Sequence, residues 1–242
     1  MTALPALVQR IYATRWFVLP PLVGVSMLAM LIGAVIVAPR EAVEGEVQRI
    51  FYIHAPGATA MYLSFGVVFV ASLALLWTRD QRFDAVARAA ATVGVLFTAL
   101  TLATGSIWGY PVWGTWWAWD ARLTSTLILF LLYTGYLLAR GLADETDEQA
   151  ARYAAVYAII AALDIPIIQM SVRWWRTLHP QPIVMTLPGQ QTLPGSMLAV
   201  FALGMVAILL LACWFIILGA ETERLVVRTS ALRAILDRNE AR

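Results

Sequence analysis

Charge is scarce in this chain of 242 residues, and lysine is absent, since all 17 basic residues are arginine. Charged residues make up 13% of the sequence, whereas a soluble domain carries about 25% because its surface must face water. Hydrophobic residues account for 61%. This composition excludes a soluble enzyme, a disordered chain and a nucleic-acid-binding protein, and it predicts a membrane protein with several spans.

Cysteine and histidine are also rare, because the chain contains one cysteine, Cys213, and two histidines, His54 and His179. A lone cysteine excludes a disulfide framework and a redox centre built from a cysteine pair. Its apolar neighbours predict a small, buried hydrophobic side chain. The histidines are too far apart for a His-x-x-x-His pair, and no cysteine or glutamate completes a tetrahedral set. The sequence therefore argues against a zinc site.

Long apolar stretches make up most of the rest of the sequence. A membrane-spanning helix needs about 20 mostly apolar residues, and six stretches reach or approach that length: 16–37, 58–77, 86–107, 123–138, 153–170 and 197–218. The predicted fold is an all-α membrane protein with a single six-span domain over 1–220 and a charged tail over 221–242. The fourth stretch is short, so its helix is expected either to begin before Leu123 or to sit in a locally thinned bilayer. The first stretch is too long for a cleaved signal peptide, and no small-residue cleavage site follows it.

The distribution of arginine predicts the orientation. Twelve arginines lie in the N-terminus, the second and fourth loops and the tail, and five lie in the other three loops. Because arginine-rich loops stay on the cytoplasmic side, both termini are predicted to be cytoplasmic. The tail is predicted to be either a charged amphipathic helix near the inner membrane surface or a solvated segment.

Tryptophan clusters on the predicted outer side. The segment 108–125 carries five of the ten tryptophans, within twelve residues: Trp108, Trp113, Trp116, Trp117 and Trp119. An interfacial aromatic belt accounts for one or two indoles at a helix end. On a helix, Trp113, Trp116, Trp117 and Asp120 share one face and form an aromatic platform that ends in a carboxylate, while Trp119 points elsewhere. The segment is expected to open as a turn, because it contains Gly109, Pro111 and Gly114.

Both histidines fall in predicted outward-facing loops, His54 before the second span and His179 after the fifth. Either is structural, or the two converge across the aromatic platform, where a pair of neutral imidazoles suits the axial positions of haem iron. Arg122 then fits a haem propionate, since arginine pairs with carboxylates through two hydrogen bonds.

Other charged residues near the outer side have less definite roles. Arg173 and Arg176 flank Trp174 and Trp175 and suit either propionates or lipid headgroups. Asp164 is the only carboxylate within a predicted span, and such a group usually faces a bundle interior or cavity. Its role is open between structural and functional, and Pro166 predicts a kink beside it.

The segment W113-G-T-W-W-A-W-D-A-R-L-T-S125 resembles the tryptophan-rich "WWD" signature of the haem-handling proteins of cytochrome c biogenesis. The flanking H54-A-P-G and D164-I-P-I-I-Q-M-S-V-R-W-W-R-T-L-H179 resemble the CcmC family within that group. The resemblance runs from about residue 51 to 180, and the length and six spans also fit CcmC, whereas the CcmF and CcsA-type relatives have more spans. Asp164 departs from the asparagine found before the I-P-I run in some members.

This resemblance implies a multi-pass protein of the bacterial inner membrane that presents non-covalent haem b on the periplasmic side. It implies partnership with the ABC transporter subunits CcmA and CcmB, the small CcmD and membrane lipid, and transfer of haem to the haem chaperone CcmE. The axial histidines of the family correspond to His54 and His179. Its platform corresponds to Trp113, Trp116, Trp117, Trp119 and Asp120, with Arg122 just beyond.

Whether such a protein is an enzyme stays open, because the sequence shows no acid–base pair or nucleophile and positioning is the expected contribution. One alternative is a haem-exporting permease subunit of an ABC-type complex, which needs polar groups at midplane depth, where Asp164 alone qualifies. Another is a structural assembly subunit whose tryptophans form a protein–protein contact.

Overall fold

The computed structural model describes residues 6–144, 147–179 and 193–240. Apart from one isolated β-bridge between Glu41 and Gly45, all the regular structure in these residues is helical. The elements are α1 (Ala6–Ile32), a π-helical turn (Gly33–Val37), a 3₁₀ turn (Glu46–Ile50), α2 (Phe51–Thr78), α3 (Arg82–Trp113), α4 (Ala121–Leu142), α5 (Glu148–Ala161), α6 (Asp164–Trp174) and α7 (Gly195–Glu240).

Six helical stretches are long and apolar enough to cross a membrane, which confirms the predicted number of spans. They are Thr14–Val37, Glu46–Thr78, Arg82–Trp113, Ala121–Leu142, Glu148–Trp174 and Gly195–Ser230. The fourth begins before Leu123, as expected. The second and third extend further than predicted, because hydropathy marks only the lipid-immersed part of a helix and the backbone hydrogen bonds continue beyond it.

The fifth span is two helices rather than one. α5 ends at Ala161 and α6 begins at Asp164, so the break lies before Pro166, where the sequence predicted a kink. Pro166 occupies the first turn of α6, a position at which its missing N–H removes no helical hydrogen bond. Asp164 is therefore the first residue of a helix, and not a residue in the middle of one.

Small residues let the backbones of α2, α3 and α7 approach closely, as is common between helices in membranes. A Cβ atom on Gly94 of α3 would lie 2.5 Å from the ring of Phe65 on α2. On α7, a Cβ atom on Gly204 would lie 2.8 Å from the carbonyl oxygen of Tyr52. Pro56 has no N–H with which to bond that oxygen, so α7 packs directly against a turn of α2 that lacks this helical hydrogen bond.

Buried ion pairs join the helices at the end of the bundle where α3 begins and α4 ends. Arg140 at the end of α4 donates to Asp84 at the start of α3 at 2.9 Å, and both side chains are buried. Arg88 lies 3.9 Å from the same carboxylate and also pairs with Glu223 on α7. These contacts fix the relative positions of three spans at this end.

The last helix is continuous from Gly195 to Glu240, so the charged tail described as far as residue 240 extends the sixth span instead of forming a separate helix. Cys213 on this helix is exposed, so the prediction of a buried cysteine was wrong. A thiol on the outer face of an apolar helix is a site of lipid contact in a membrane-spanning bundle.

Candidate functional site

The tryptophan-rich segment is a helix end followed by an extended connection. α3 continues to Trp113, and Gly114 then adopts a left-handed conformation, with φ +75°, that ends the helix. Residues 115–120 are not helical, and Asp120 caps α4 by accepting a hydrogen bond from the Leu123 N–H at 2.8 Å. The predicted helical face of Trp113, Trp116, Trp117 and Asp120 is therefore wrong.

The predicted turn at Gly109 and Pro111 is also wrong, because both residues are helical. Gly109 instead makes room for an indole, since a Cβ atom there would lie 3.0 Å from the ring of Trp113. Its missing side chain lets Trp113 fold back along α3. A glycine beside aromatic residues signals close packing as readily as a turn.

The indoles of the segment fall into two groups, so they do not form one flat surface. Trp113 and Trp117 are half-buried, whereas Trp116 and Trp119 are exposed. Trp116 stacks on Tyr110 with a centroid separation of 4.4 Å, and Trp117 meets the edge of Trp119 at 5.5 Å. Tyr110 was missed by the sequence reasoning, because only three-dimensional packing brings it beside Trp116.

Two hydroxyl groups fasten the extended connection. Ser106 donates to the carbonyl oxygen of Trp116 at 2.7 Å, and Thr115 donates to that of Trp117 at 2.8 Å. The indole N–H of Trp117 is buried and has no hydrogen-bond partner among the residues described. Because an unpaired buried donor is costly, this N–H is suited to a polar atom of a ligand.

His54 lies in the first turn of α2 and not in the loop that the sequence predicted. Its Nδ1 atom is 3.0 Å from Oγ1 of Thr104 on α3. Its ring meets the edge of Trp108 at 5.7 Å, and the Trp108 N–H donates to Glu44 at 2.9 Å. The imidazole is thus held between α2, α3 and the first connecting loop.

His179 follows α6 outside any helix, as predicted, and is half-buried. Its ring meets the edge of Trp113 at 5.1 Å. Its Nδ1 atom lies 3.5 Å from Oδ2 of Asp120, an ion-pair distance that is long for a hydrogen bond. The same Oδ2 accepts the Leu178 N–H at 3.2 Å, so Asp120 anchors the segment that carries His179.

The electrostatics around His179 favour a neutral imidazole. Burial lowers the pKa of His179 below its usual value, and the nearby Arg122 guanidinium lowers it further, while the Asp120 carboxylate acts in the opposite direction. Because a histidine binds a metal through the lone pair of its neutral form, this environment preserves its capacity as a ligand.

His54, His179 and Arg122 come together at one end of the bundle. His179 and Arg122 are both close enough to His54 to interact with it electrostatically, and Arg122 also interacts with the hydroxyl of Tyr62 on α2. Within the described residues, none of the ion pairs uses Arg122. A guanidinium in this position is suited to the carboxylate of a ligand.

The other charged candidates differ in their surroundings. Arg173 and Arg176 are exposed, and Trp174 packs edge-on against Trp175 at 5.7 Å. Asp164 lies at the start of α6, where one carboxylate oxygen is buried without a hydrogen-bond partner in the described part of the chain. The structure therefore brings together the two histidines and Arg122, and leaves Arg173 and Arg176 outside.

The donor set fits haem iron better than a free metal ion. Across residues 6–144, 147–179 and 193–240, no group of three histidine, cysteine, aspartate or glutamate side chains could hold a metal ion. Two imidazoles suffice for an iron whose other four ligands are porphyrin nitrogens. The nearby indoles are suited to an apolar porphyrin, and the Arg122 guanidinium is suited to its carboxylates.

Comparison with known proteins decides the family. A family model described as "Heme exporter protein C" (CcmC) matches residues 2–235. The chain belongs to this family. It is 40% identical over 218 residues to the Heme exporter protein C of Bradyrhizobium diazoefficiens. The matched region covers 89% of this chain and 80% of the relative. The predicted membership of the CcmC family is thereby confirmed.

Two further CcmC relatives come from distant sources. A putative cytochrome c biosynthesis ccmC-like mitochondrial protein of Marchantia polymorpha is 37% identical over 191 residues, covering 79% of each chain. The Heme exporter protein C of Escherichia coli K12 is 39% identical over 180 residues, covering 72% of each chain. The names of these relatives concern haem export and cytochrome c biosynthesis.

Proposed function

We propose that the protein holds haem as cargo at the end of the bundle where His54, His179 and the WWD segment meet, and that it does so for cytochrome c maturation. The observation that supports this most directly is that both imidazoles lie against indoles near the end of α3, His54 against Trp108 and His179 against Trp113. Arg122 is close enough to interact with both. The two histidines are the axial ligands of haem b, which is bound without a covalent bond.

The remaining site residues orient the cargo. Arg122 pairs with a propionate, and the half-buried Trp113 and Trp117 contact the porphyrin, with the unpaired Trp117 N–H as a donor. The exposed Trp116 and Trp119 remain accessible at the rim. The chain contributes positioning, since no acid–base pair or nucleophile is required of it.

The family and the distribution of arginine support a cellular setting for this function. The haem end faces the periplasm, both termini lie in the cytoplasm, and the membrane is the bacterial inner membrane. The haem chaperone CcmE receives the cargo, and CcmA, CcmB and CcmD are partner subunits. The exposed indoles of Trp116 and Trp119 provide an aromatic contact for the chaperone, because tryptophan is favoured in such contacts.

The axial assignment is tested by the visible spectrum of the protein purified in detergent from a haem-replete host. The wild-type protein should show the Soret and α/β bands of bis-imidazole haem. His54→Ala and His179→Ala should each lose this spectrum. Trp77→Ala is the control, because Trp77 is 90% exposed and lies on α2 near the opposite end of the bundle. Unchanged bands in both histidine variants would remove the assignment.

Transfer is tested separately by the yield of haem-loaded CcmE in cells. Trp116→Ala combined with Trp117→Ala should lower both haem retention and this yield, because it removes one exposed and one half-buried indole. Trp77→Ala again serves as the matched tryptophan control. A normal yield from the double variant would refute the role of the indoles in transfer.

One observation favours a second function, a haem-exporting permease subunit of an ABC-type complex. Asp164 lies at a break within the fifth span and has a buried carboxylate oxygen without a hydrogen-bond partner among the described residues. Broken helices with polar groups are found at substrate and ion sites of transporters. Haem uptake assays in proteoliposomes, with Asp164→Asn alongside the wild type, distinguish this function from haem presentation.

A further inference from the structure

A socket on α3 surrounds His54 on the side of its Nδ1 atom. Thr104, Gly105 and Trp108 share one face of that helix, and each approaches the imidazole. We infer that Thr104 is a positioning residue of the haem site, whose hydroxyl keeps the proton of His54 on Nδ1 and leaves Nε2 free for iron. This inference rests on the proposed axial role of His54.

The direction of the hydrogen bond follows from the single proton of the threonine hydroxyl. Thr104 Oγ1 donates to the carbonyl oxygen of Leu100 at 2.7 Å, with a longer contact of 3.3 Å to that of Thr101. Its proton is therefore committed to its own helix, and towards His54 it can only accept. The Nδ1 atom, 3.0 Å away, must carry the imidazole proton, so the lone pair resides on Nε2.

Gly105 fixes the position of the ring as well as its tautomer. A Cβ atom on Gly105 would lie 3.0 Å from His54 Cε1 and 3.6 Å from Nδ1. Any side chain at this position would push the imidazole away from α3 and stretch its bond to Thr104. Trp108 closes the socket, and its own N–H is held by Glu44.

The two imidazoles therefore have different supports on Nδ1. His54 faces a neutral hydroxyl acceptor, whereas His179 lies 3.5 Å from the carboxylate of Asp120. Partners of this kind fix the orientation of a ligating histidine and tune its basicity, and their loss typically weakens metal binding about 10- to 100-fold. Thr104 thus acts on haem through His54, without contacting it.

The test compares haem binding by full-length variants in detergent, with hemin as the added probe. Thr104→Val removes the hydroxyl and keeps the shape, Thr104→Ser keeps the hydroxyl, and Gly105→Ala displaces the ring. Thr98→Val is the matched control, because Thr98 is a fully buried residue of α3 that also donates to its own helix, at 2.7 Å to Gly94. The readouts are haem affinity, the g-values of the ferric haem and its midpoint potential.

Thr104→Val and Gly105→Ala should each weaken haem binding about tenfold or more and shift both the g-values and the midpoint potential. Thr104→Ser should restore wild-type values within about twofold, and Thr98→Val should match the wild type. Gly105→Ala also probes the socket with Thr104 intact, so the inference stays testable if Thr104→Val fails to fold.

Wild-type g-values and potential in both Thr104→Val and Gly105→Ala would overturn the inference. If His54→Ala still loses the bis-imidazole signal in that case, the proposed haem site stands without the role of Thr104. If His54→Ala keeps the signal, the proposed site itself is wrong.

Discussion

The Oδ2 atom of Asp120 accepts the backbone N–H of Leu178 at 3.2 Å, and this bond joins the start of α4 to the segment that carries His179. The other carboxylate oxygen of Asp120 caps α4. One side chain therefore ends the WWD segment, begins a membrane span and places the second imidazole. The aspartate of the WWD signature is a structural link between distant parts of the chain.

Asp120→Ala should lower both thermal stability and haem affinity. It removes a helix cap, which costs about 1 kcal/mol, and it releases the segment around His179. Asp120→Asn should retain most of the stability, because asparagine also caps helices. The measurements are the unfolding temperature and a haem titration.

Asp147→Ala is the matched control for Asp120→Ala, since Asp147 caps α5 by accepting from Gln149 and Ala150 and is exposed. It should lower stability while leaving haem affinity unchanged. Equal losses of haem affinity in the two alanine variants would show that capping alone, and not the contact with Leu178, matters for the site.

The pH dependence of haem binding should follow the lowered pKa of His179. Burial moves this pKa below the ordinary value of 6.5, so the imidazole stays neutral as the pH falls through 6.5 and becomes protonated only at lower pH. Haem affinity should be constant above pH 6.5 and decline below it. The free energy of unfolding should change with pH in the same direction. The contribution of His179 is greatest above the pKa that its imidazole has in the unfolded chain, and it is lost as the pH falls through the pKa in the folded protein.

A haem titration between pH 5 and 8, together with unfolding temperatures of the haem-free protein, checks this expectation. Asp120→Asn should move the decline to lower pH, because the carboxylate of Asp120 raises the pKa of His179. A decline centred above pH 6.5 in the wild type would contradict the prediction.

The buried pair of Asp84 and Arg140 should contribute strongly to stability. Asp84→Asn leaves the Arg140 guanidinium buried beside a neutral amide, and breaking a buried pair in this way costs about 3–5 kcal/mol. The unfolding temperature in detergent should fall clearly. Haem affinity should persist below that temperature, because the pair lies at the end of the bundle away from His54.

Asp80→Asn provides the comparison for Asp84→Asn. Asp80 pairs with Arg82 near the same end of α3, but the arginine side chain is 73% exposed. Exposed pairs contribute little because water screens them, so the unfolding temperature should be unchanged. A similar fall in both variants would show that burial is not the cause.

The orientation can be read from labelling of introduced cysteines in a Cys213→Ser background. Val43 is 91% exposed in the loop at the end of the bundle that carries His54, and Leu142 is 89% exposed at the other end. A membrane-impermeant maleimide should label Val43→Cys from the periplasm and Leu142→Cys only after the inner membrane is opened. The reverse pattern would invert the topology.

Gly204→Ala should disturb the turn that carries His54. The added Cβ would lie 2.8 Å from the carbonyl oxygen of Tyr52, so α7 must move away from α2. We expect a lower unfolding temperature and weaker haem binding. Gly24→Ala on α1 is the control, because nothing lies within 4 Å of its Cβ position, and it should leave both properties intact.

Hydropathy was sufficient to predict six spans, because every span needs a long apolar stretch whatever its partners. It could not place the helix ends, which depend on local stop signals such as the left-handed Gly114 and the capping Asp120. The assumption that helix spacing continued through 113–120 therefore produced the wrong arrangement of the indoles.

The sequence could single out the two histidines and Arg122 together. Histidine is rare in this chain, and an arginine beside clustered tryptophans is unusual. Thr104 could not be singled out, since a threonine in an apolar stretch looks like any other residue of a span. Its contact with His54 joins residues 50 apart in sequence. The pairing of Glu44 with Trp108 depends in the same way on tertiary packing.

The different settings of the two imidazoles bear on how the proposed haem cargo would leave. His54 is built into a 28-residue helix against α3 and α7, whereas His179 lies on a non-helical stretch tied to α4 through Asp120. In the proposed haem site, withdrawal of His179 alone would leave His54 and every membrane span in place. Haem could then pass to an imidazole of a recipient by exchange of a single ligand, while His54 would still hold it.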